Sequence, residues 1–193
     1  MRLGYQLCND HLLNGPQALA SLARRVEELK LESFWVMDLM LQIEALGPAD
    51  QPLGEAFTTL AYVAANTHRV RLGVLVSAIT FRSSEWLQSL RHSLHVLSQG
   101  RFLLGVGAGW FEREHRAMGV RFGSIGERFA QLEAFLQAYP GPVLVGGIFN
   151  AVNPSVYEFR SRGVPAKQAY QLKDLQDWAR RAGLTIRFPP AVF

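Results

Sequence analysis

Three glycines spaced two apart, Gly105, Gly107 and Gly109, stand at the end of the apolar run Arg101–Val106 and just beyond it. Bare backbone at a strand end has two uses: close packing of a neighbouring segment, or room for a flat ligand against the main chain. The spacing is G-x-G-x-G, not the G-x-G-x-x-G fingerprint of dinucleotide sites, and no acid is placed to hold a ribose. Both uses therefore stay open. Asp38 ends a second strand candidate, but the residue after it is Leu39, which cannot donate, accept or titrate. His92 and His95 lie three apart without a nearby carboxylate, which is not metal-ligand spacing, so they read as surface or structural histidines. Cys8 is the single cysteine, which excludes an internal disulfide and a zinc site built on cysteine pairs. No metal site is expected.

The elements that must position these residues alternate along the chain. Strand candidates are Arg2–Leu7, Ser33–Met37, Val70–Val76 and Arg101–Val106. Between them lie a helix opened by Pro16, with Ala18, Leu19, Leu22, Val26 and Leu29 on one stripe, and helices over Glu55–Asn66 and Glu85–Ser98. Ser124 and Glu127 have the spacing of a capping box, opening a helix through Phe129, Leu132 and Leu136. Alternating strands and helices imply parallel strands joined by right-handed crossovers. The chain is α/β, with a barrel and an open sheet both allowed. After Tyr139 the rhythm changes. Pro140–Pro142 breaks the helix, Val143–Val145 is a short strand, Lys167–Ala182 a helix and Leu184–Phe188 a last strand candidate.

With 193 residues, 49% of them hydrophobic and 19% charged, there is enough apolar surface for a core and no signature of disorder. Residues 1–139 hold 13 Lys/Arg and 13 Asp/Glu, whereas 140–193 hold 7 against 3, so the whole net charge of +4 sits in the tail. A neutral body with no run of like charges is not expected to bind nucleic acid. No run of 18 uncharged apolar residues is present, so no transmembrane helix is expected. The first residues carry no apolar signal-peptide core, which makes a cytoplasmic location the expectation.

Six segments in order carry a resemblance: Leu31–Asp38, Glu55–Leu60, Arg69–Val76, Thr80–Arg82, Leu97-Ser98 with Gly100–Phe102, and Gly105–His115. Together they resemble the bacterial luciferase-like monooxygenases, in particular the deazaflavin (coenzyme F420)-dependent oxidoreductases of that family. The resemblance implies a (β/α)8 TIM-barrel architecture, of which residues 1–139 correspond to roughly the first four strand–helix units. It also implies a cofactor, F420 or alternatively FMN, lying over the carboxyl ends of the strands and taking part in hydride transfer to or from a small-molecule substrate. Carried over residue by residue, it makes Asp38 the candidate catalytic acid and Leu75, Val76, Ser77, Gly105, Gly107 and Gly109 the cofactor-binding set. In the family, a bulge with a non-proline cis peptide often occurs where Leu75-Val76 stands, and a histidine commonly follows the acid at the Asp38 position. Here Leu39 takes that place, and Lys30 stands where a glycine normally ends the first helix. Ser84 replaces an expected proline, and Arg91, His92 and His95 depart from the usual small, polar or acidic residues.

The tail carries a second resemblance, over Val143–Phe149, Val164–Tyr170, Lys173–Leu175, Trp178–Arg180 and Gly183–Pro189, to the glutathione-dependent 2-hydroxychromene-2-carboxylate isomerases, which have a thioredoxin-like fold. The family's catalytic serine has no counterpart here, and Asn150 replaces its usual lysine. The expected organisation is thus a partial barrel over 1–139 and a short α/β tail over 140–193, with the look of a truncated chimera. Three functional readings follow: a luciferase-like oxidoreductase of very low activity, an isomerase-like protein, or a non-catalytic fusion of two truncated pieces. Open sheet edges would favour self-association into a homo-oligomer that covers them.

Overall fold

The computed structural model describes residues 3–7, 14–44, 46–139 and, for the backbone, 143–146. All of these fall in the compact unit Met1–Ile148. The helix and strand expected over Lys167–Ala182 and Leu184–Phe188 lie outside the described residues.

Strand β1 (Gly4–Leu7) is followed by helix α1 (Gly15–Glu28), strand β2 (Ser33–Val36), helix α2 (Ala56–Ala65), strands β3 (Arg71–Val74) and β4 (Ser77–Ala78) and helix α3 (Ser84–Leu97). Then come strand β5 (Phe102–Gly107), the short helix α4 (Glu112–Ala117), helix α5 (Ile125–Ala138) and strand β6 (Val143–Gly146). Every pairing is parallel: β1 with β2, β2 with β3, β3 and β4 with β5, and β5 with β6. The strands expected from the alternation are neighbours in sequential order, as right-handed crossovers require. The third strand is not continuous. It breaks at Leu75-Val76, a cis peptide bond, so that Leu72 and Gly73 pair with Phe102 and Leu103 while Ser77 and Ala78 pair with Val106 and Gly107.

Parallel strands buried on both faces are mostly apolar, and β2, β3 and β5 follow that pattern, while β1 is largely exposed. Phe34, Val36, Leu72, Val74, Leu104 and Val106 are buried, and the helices cover them with Val26, Leu60, Val63, Leu87 and Phe135. On α1 the buried stripe is Leu19, Ala20, Ala23 and Val26; Ala18 and Leu29, expected on that face, are exposed. Glu55 caps α2 by accepting the Thr58 N–H through Oε2 (2.7 Å). Ser83 caps α3 through the Trp86 N–H (3.2 Å), and Ser124 with Glu127 forms the expected capping box on α5. Lys30 adopts φ +57°, the left-handed conformation that a glycine would take without strain.

Arg101 ties the amino-terminal end of the sheet together. Its guanidinium donates to Ala64 O, Thr67 O, Thr67 Oγ1 and Val70 O at 2.9–3.0 Å and to Ser98 O at 2.8 Å. One side chain thus satisfies carbonyls left open where α2 and α3 end.

Candidate functional site

The carboxyl ends of β2, β3, β4 and β5 lie together, and the residues expected to do chemistry gather there. Asp38 sits two residues beyond β2 with its side chain 1% exposed. Arg82, 7% exposed, grips it with two charge-assisted hydrogen bonds, Nη1 to Oδ2 at 2.5 Å and Nη2 to Oδ1 at 3.0 Å. Ser77, fully buried in β4, donates its hydroxyl to Oδ2 at 2.6 Å. The other side of the guanidinium meets Glu55 Oε1 at 2.9 Å, and its carbon lies 4.9 Å from the centre of the Phe57 ring. Burial raises the Glu55 carboxyl, but the Thr58 donors, the Phe57 N–H and Arg82 outweigh it, and the net lies below the ordinary value. Both Asp38 oxygens are therefore engaged as acceptors. This is the geometry of an anchor that fixes one loop to the next, and it leaves no lone carboxyl turned outward for proton transfer.

The expected cofactor-binding residues fall into two groups. Leu75 is exposed and Val76 half-buried at the break between β3 and β4, and the Leu75 N–H donates to Val36 O (2.8 Å). Ser77 faces inward to Asp38, so its hydroxyl is committed there. Gly105 lies within β5, where an added Cβ would collide with the Val74 carbonyl and approach Val76 Cγ1 to 2.9 Å. Its bareness serves close strand packing. Gly107 ends β5 opposite Ala78, and Gly109 follows with φ +76°. A Cβ on Gly109 would lie 3.0 Å from Thr80 Oγ1 and 3.5 Å from His115 Cε1.

Five further side chains hold this rim and escaped notice as site residues in the sequence: Arg82, Glu114, His115, Thr80 and Arg128. Arg128 of α5 donates to the Gly109 carbonyl and to Gly123 O (3.1 Å), with its carbon 4.0 Å above the Phe122 ring. Glu114 and His115, each 1% exposed, occupy α4, a helix the periodicity does not announce. Burial pushes the Glu114 carboxyl up; the N–H groups of Met40 and Leu41 oppose this, and the charge of Asp38 adds to the rise. Beyond these, Trp110 stands exposed next to Gly109 and stacks on Phe111 (centroids 4.9 Å apart, planes at 16°). The rim thus carries small residues along β4 and β5 and exposed apolar side chains at Leu75 and Trp110. Among the described residues no group of three His, Cys, Asp or Glu side chains is placed to hold a metal, and no helix is long and apolar enough to cross a membrane.

Parallel strands in sequential order with helices between them define a partial (β/α)8 fold, with a polar-anchored rim at the carboxyl ends of the strands. Residues 1–141 match the luciferase-like monooxygenase family, and the chain belongs to that family. The F420-dependent glucose-6-phosphate dehydrogenase of Kineococcus radiotolerans is 30% identical over 190 residues, covering 95% of this chain and 55% of its own length. That of Amycolatopsis mediterranei is 29% identical over 193 residues, covering 95% and 56%. The chain thus spans about half the length of these relatives. Among solved structures, an F420-dependent secondary alcohol dehydrogenase with an F420–acetone adduct superposes with a TM-score of 0.58 at 18% identity, covering 70% of this chain and 40% of that one. A riboflavin lyase with modified FMN superposes at 0.61 and 17% identity, covering 72% and 36%. At these identities the superpositions establish the fold. Because the sequence relatives cover 95% of this chain, their likeness runs past residue 141. Nothing in the comparisons supports the isomerase resemblance of residues 140–193 or a fusion of two pieces.

Proposed function

We propose that this chain serves an F420-dependent oxidoreductase, in which hydride passes between the deazaflavin and a small-molecule substrate at the carboxyl ends of β2–β5. The observation that carries this reading is the rim itself. Asp38, Ser77 and Arg82 tie the ends of β2 and β4 together, and the exposed Leu75 and Trp110 follow β3 and β5, in a chain whose relatives are F420-dependent dehydrogenases. When bound, the deazaflavin supplies the hydride chemistry; the protein supplies position and exclusion of water. Leu75, Gly107, Gly109 and Trp110 are the residues that would border it, with FMN as the alternative occupant. Asp38 holds Arg82 and acts as a positioning residue.

Turnover by this chain is proposed to be slow. Leu39 cannot move a proton, both oxygens of Asp38 are engaged, and a positioned general acid or base is typically worth about 10²–10⁴-fold. The test is a titration of the full chain with F420 and with FMN, followed by absorbance and fluorescence. A panel of alcohols, sugar phosphates and enones is then run with the unmodified chain and with Leu39→His. Saturable F420 binding with faster turnover in Leu39→His is the expected result. Absence of binding to either cofactor would overturn the reading.

A further inference from the structure

Two adjacent side chains on α4 reach in different directions and grip different rim loops. Glu114 Oε1 accepts the backbone N–H groups of Met40 and, at 3.0 Å, of Leu41, in the loop that leaves β2 just after Asp38 and Leu39. His115 turns toward the loop after β4. Its Nδ1 lies 2.9 Å from the Phe111 carbonyl and its Nε2 lies 2.6 Å from Thr80 Oγ1. A carbonyl can only accept, so Nδ1 carries a proton and donates to Phe111, and Nε2 shares a hydrogen bond with the Thr80 hydroxyl. The ring stacks on Phe81 (4.3 Å between centroids) and meets the edge of Phe122 (4.8 Å).

These contacts close a circuit. Asp38 is bound to Arg82, Arg82 is two residues from Thr80, and Thr80 is bound to His115. His115 adjoins Glu114, which holds Met40 and Leu41, and these return to Asp38. The Arg82 and Thr80 links fix the β4 loop from both of its ends. Glu114 holds the Asp38 loop immediately after Leu39, while Gln42 and Glu44 farther along it meet Gln51 (3.4 Å) and Arg113, so Glu114 is the clamp nearest to Leu39 on that side. We propose that Glu114 is a positioning residue of the site: it closes this circuit by holding the Met40 and Leu41 N–H groups, and so sets the loop against which the cofactor and substrate rest. The cofactor part of this inference rests on the reading of the preceding subsection; the loop part does not.

The experiment compares the full chain with Glu114→Ala, Glu114→Asp and Glu114→Gln. Aspartate is one methylene too short to serve both N–H groups, whereas glutamine keeps a carbonyl oxygen in the place of Oε1. Residue-resolved amide hydrogen exchange is the first readout. In the native chain, Met40 and Leu41 should be protected like β2 although they lie in a loop. In Glu114→Ala and Glu114→Asp their exchange should accelerate about tenfold or more, the scale of losing a buried acceptor, while Leu72 and Leu104 change little. The second readout is the Kd for F420, expected to rise about tenfold in the same two variants and to return to within about threefold of native in Glu114→Gln. Fast exchange at Met40 and Leu41 in the native chain overturns the inference even where the variants fail to fold. So does acceleration spread evenly over the whole sheet, or an unchanged Kd in folded Glu114→Asp. If the native chain binds no F420, the proposed function falls, and the exchange data alone decide whether Glu114 holds the loop.

Discussion

Replacing Asp38 with asparagine separates an anchoring carboxylate from a catalytic one. The substitution preserves shape and removes one charge. Asp38 and Arg82 meet through contacts of 2.5 and 3.0 Å with side chains 1% and 7% exposed, so neither charge is relieved by water when its partner is lost. Breaking a buried pair of this kind costs about 3–5 kcal/mol. Two features place this case at the lower end. Arg82 keeps Glu55 at 2.9 Å, although that carboxylate is 38% exposed and partly screened, and Ser77 can still donate to the asparagine oxygen. Against them, the asparagine amide must point its N–H groups at either Arg82 or Ser77, both of which are donors in the native arrangement. We expect a loss of about 3 kcal/mol, or about 6–12 °C in Tm at about 2–4 °C per kcal/mol. Urea unfolding followed by circular dichroism, with the slope unchanged, measures it. The double variant Asp38→Leu/Arg82→Met strands no charge and should be more stable than Asp38→Asn alone. An Asp38→Asn protein within about 1 kcal/mol of native would refute the anchoring argument. If that protein were also inactive, Asp38 would return to the chemistry.

Three further outcomes are expected. Lys30→Gly should stabilise the protein by about 0.5–1 kcal/mol, because relief of a left-handed side chain outweighs the extra freedom glycine has when unfolded; thermal unfolding reads it, and a lower Tm would count against the strain. Arg101→Met should cost at least about 3 kcal/mol by abandoning the buried acceptors of α2 and α3, and Arg101→Lys should recover only part, since an ammonium cannot reproduce the fork. For Glu27, burial raises the carboxyl, but the N–H groups of Arg69, Val70 and His68 outweigh it and hold it below its ordinary 4.5. Its contribution is therefore present above that value and lost as pH falls through the depressed one, so Glu27→Ala should flatten the acid limb of the pH–stability profile.

The fold was legible because alternation is a local signal. Apolar strands bounded by amphipathic helices announce parallel pairing wherever they occur, and β1, β2, β3 and β5 were found within a residue or two of the expected bounds. The break at Leu75-Val76 was legible only through resemblance, since nothing in the residue types Leu and Val demands it. The site was harder to read for a related reason. Asp38, Ser77 and Gly105–Gly109 mark the rim, but the residues that set their roles are remote: Arg82 lies 44 positions from Asp38 and Glu114 lies 74 from Met40. Such partners leave no periodic trace. Helix α4 buries a glutamate and a histidine, so hydropathy reads its inner face as outer. The glycine run showed the same limit, because spacing could not distinguish Gly105, excluded from a side chain by Val74, from Gly109, which takes a positive φ.

A rim assembled by long-range polar contacts limits which of its positions can change. The strands and helices are held by apolar packing that tolerates substitution of similar volume. The loops above them are held by a few ionic and hydrogen-bonded groups, most of them buried, each serving two masters: Glu55 caps α2 and pairs Arg82, Arg82 joins Glu55 to Asp38, and His115 joins α4 to Thr80. Removing any one leaves a buried polar group without its partner, the expensive direction of change. A residue such as Leu39 is different. It sits between two clamped points, Asp38 and the Met40 N–H, yet its own side chain takes part in none of these clamps, so it can change without loosening the loop. Position 39 is thereby one at which a proton carrier can be gained or lost with both clamps kept. With both Asp38 oxygens engaged as acceptors, Leu39→His is the substitution that would offer this rim a proton carrier without rebuilding its frame.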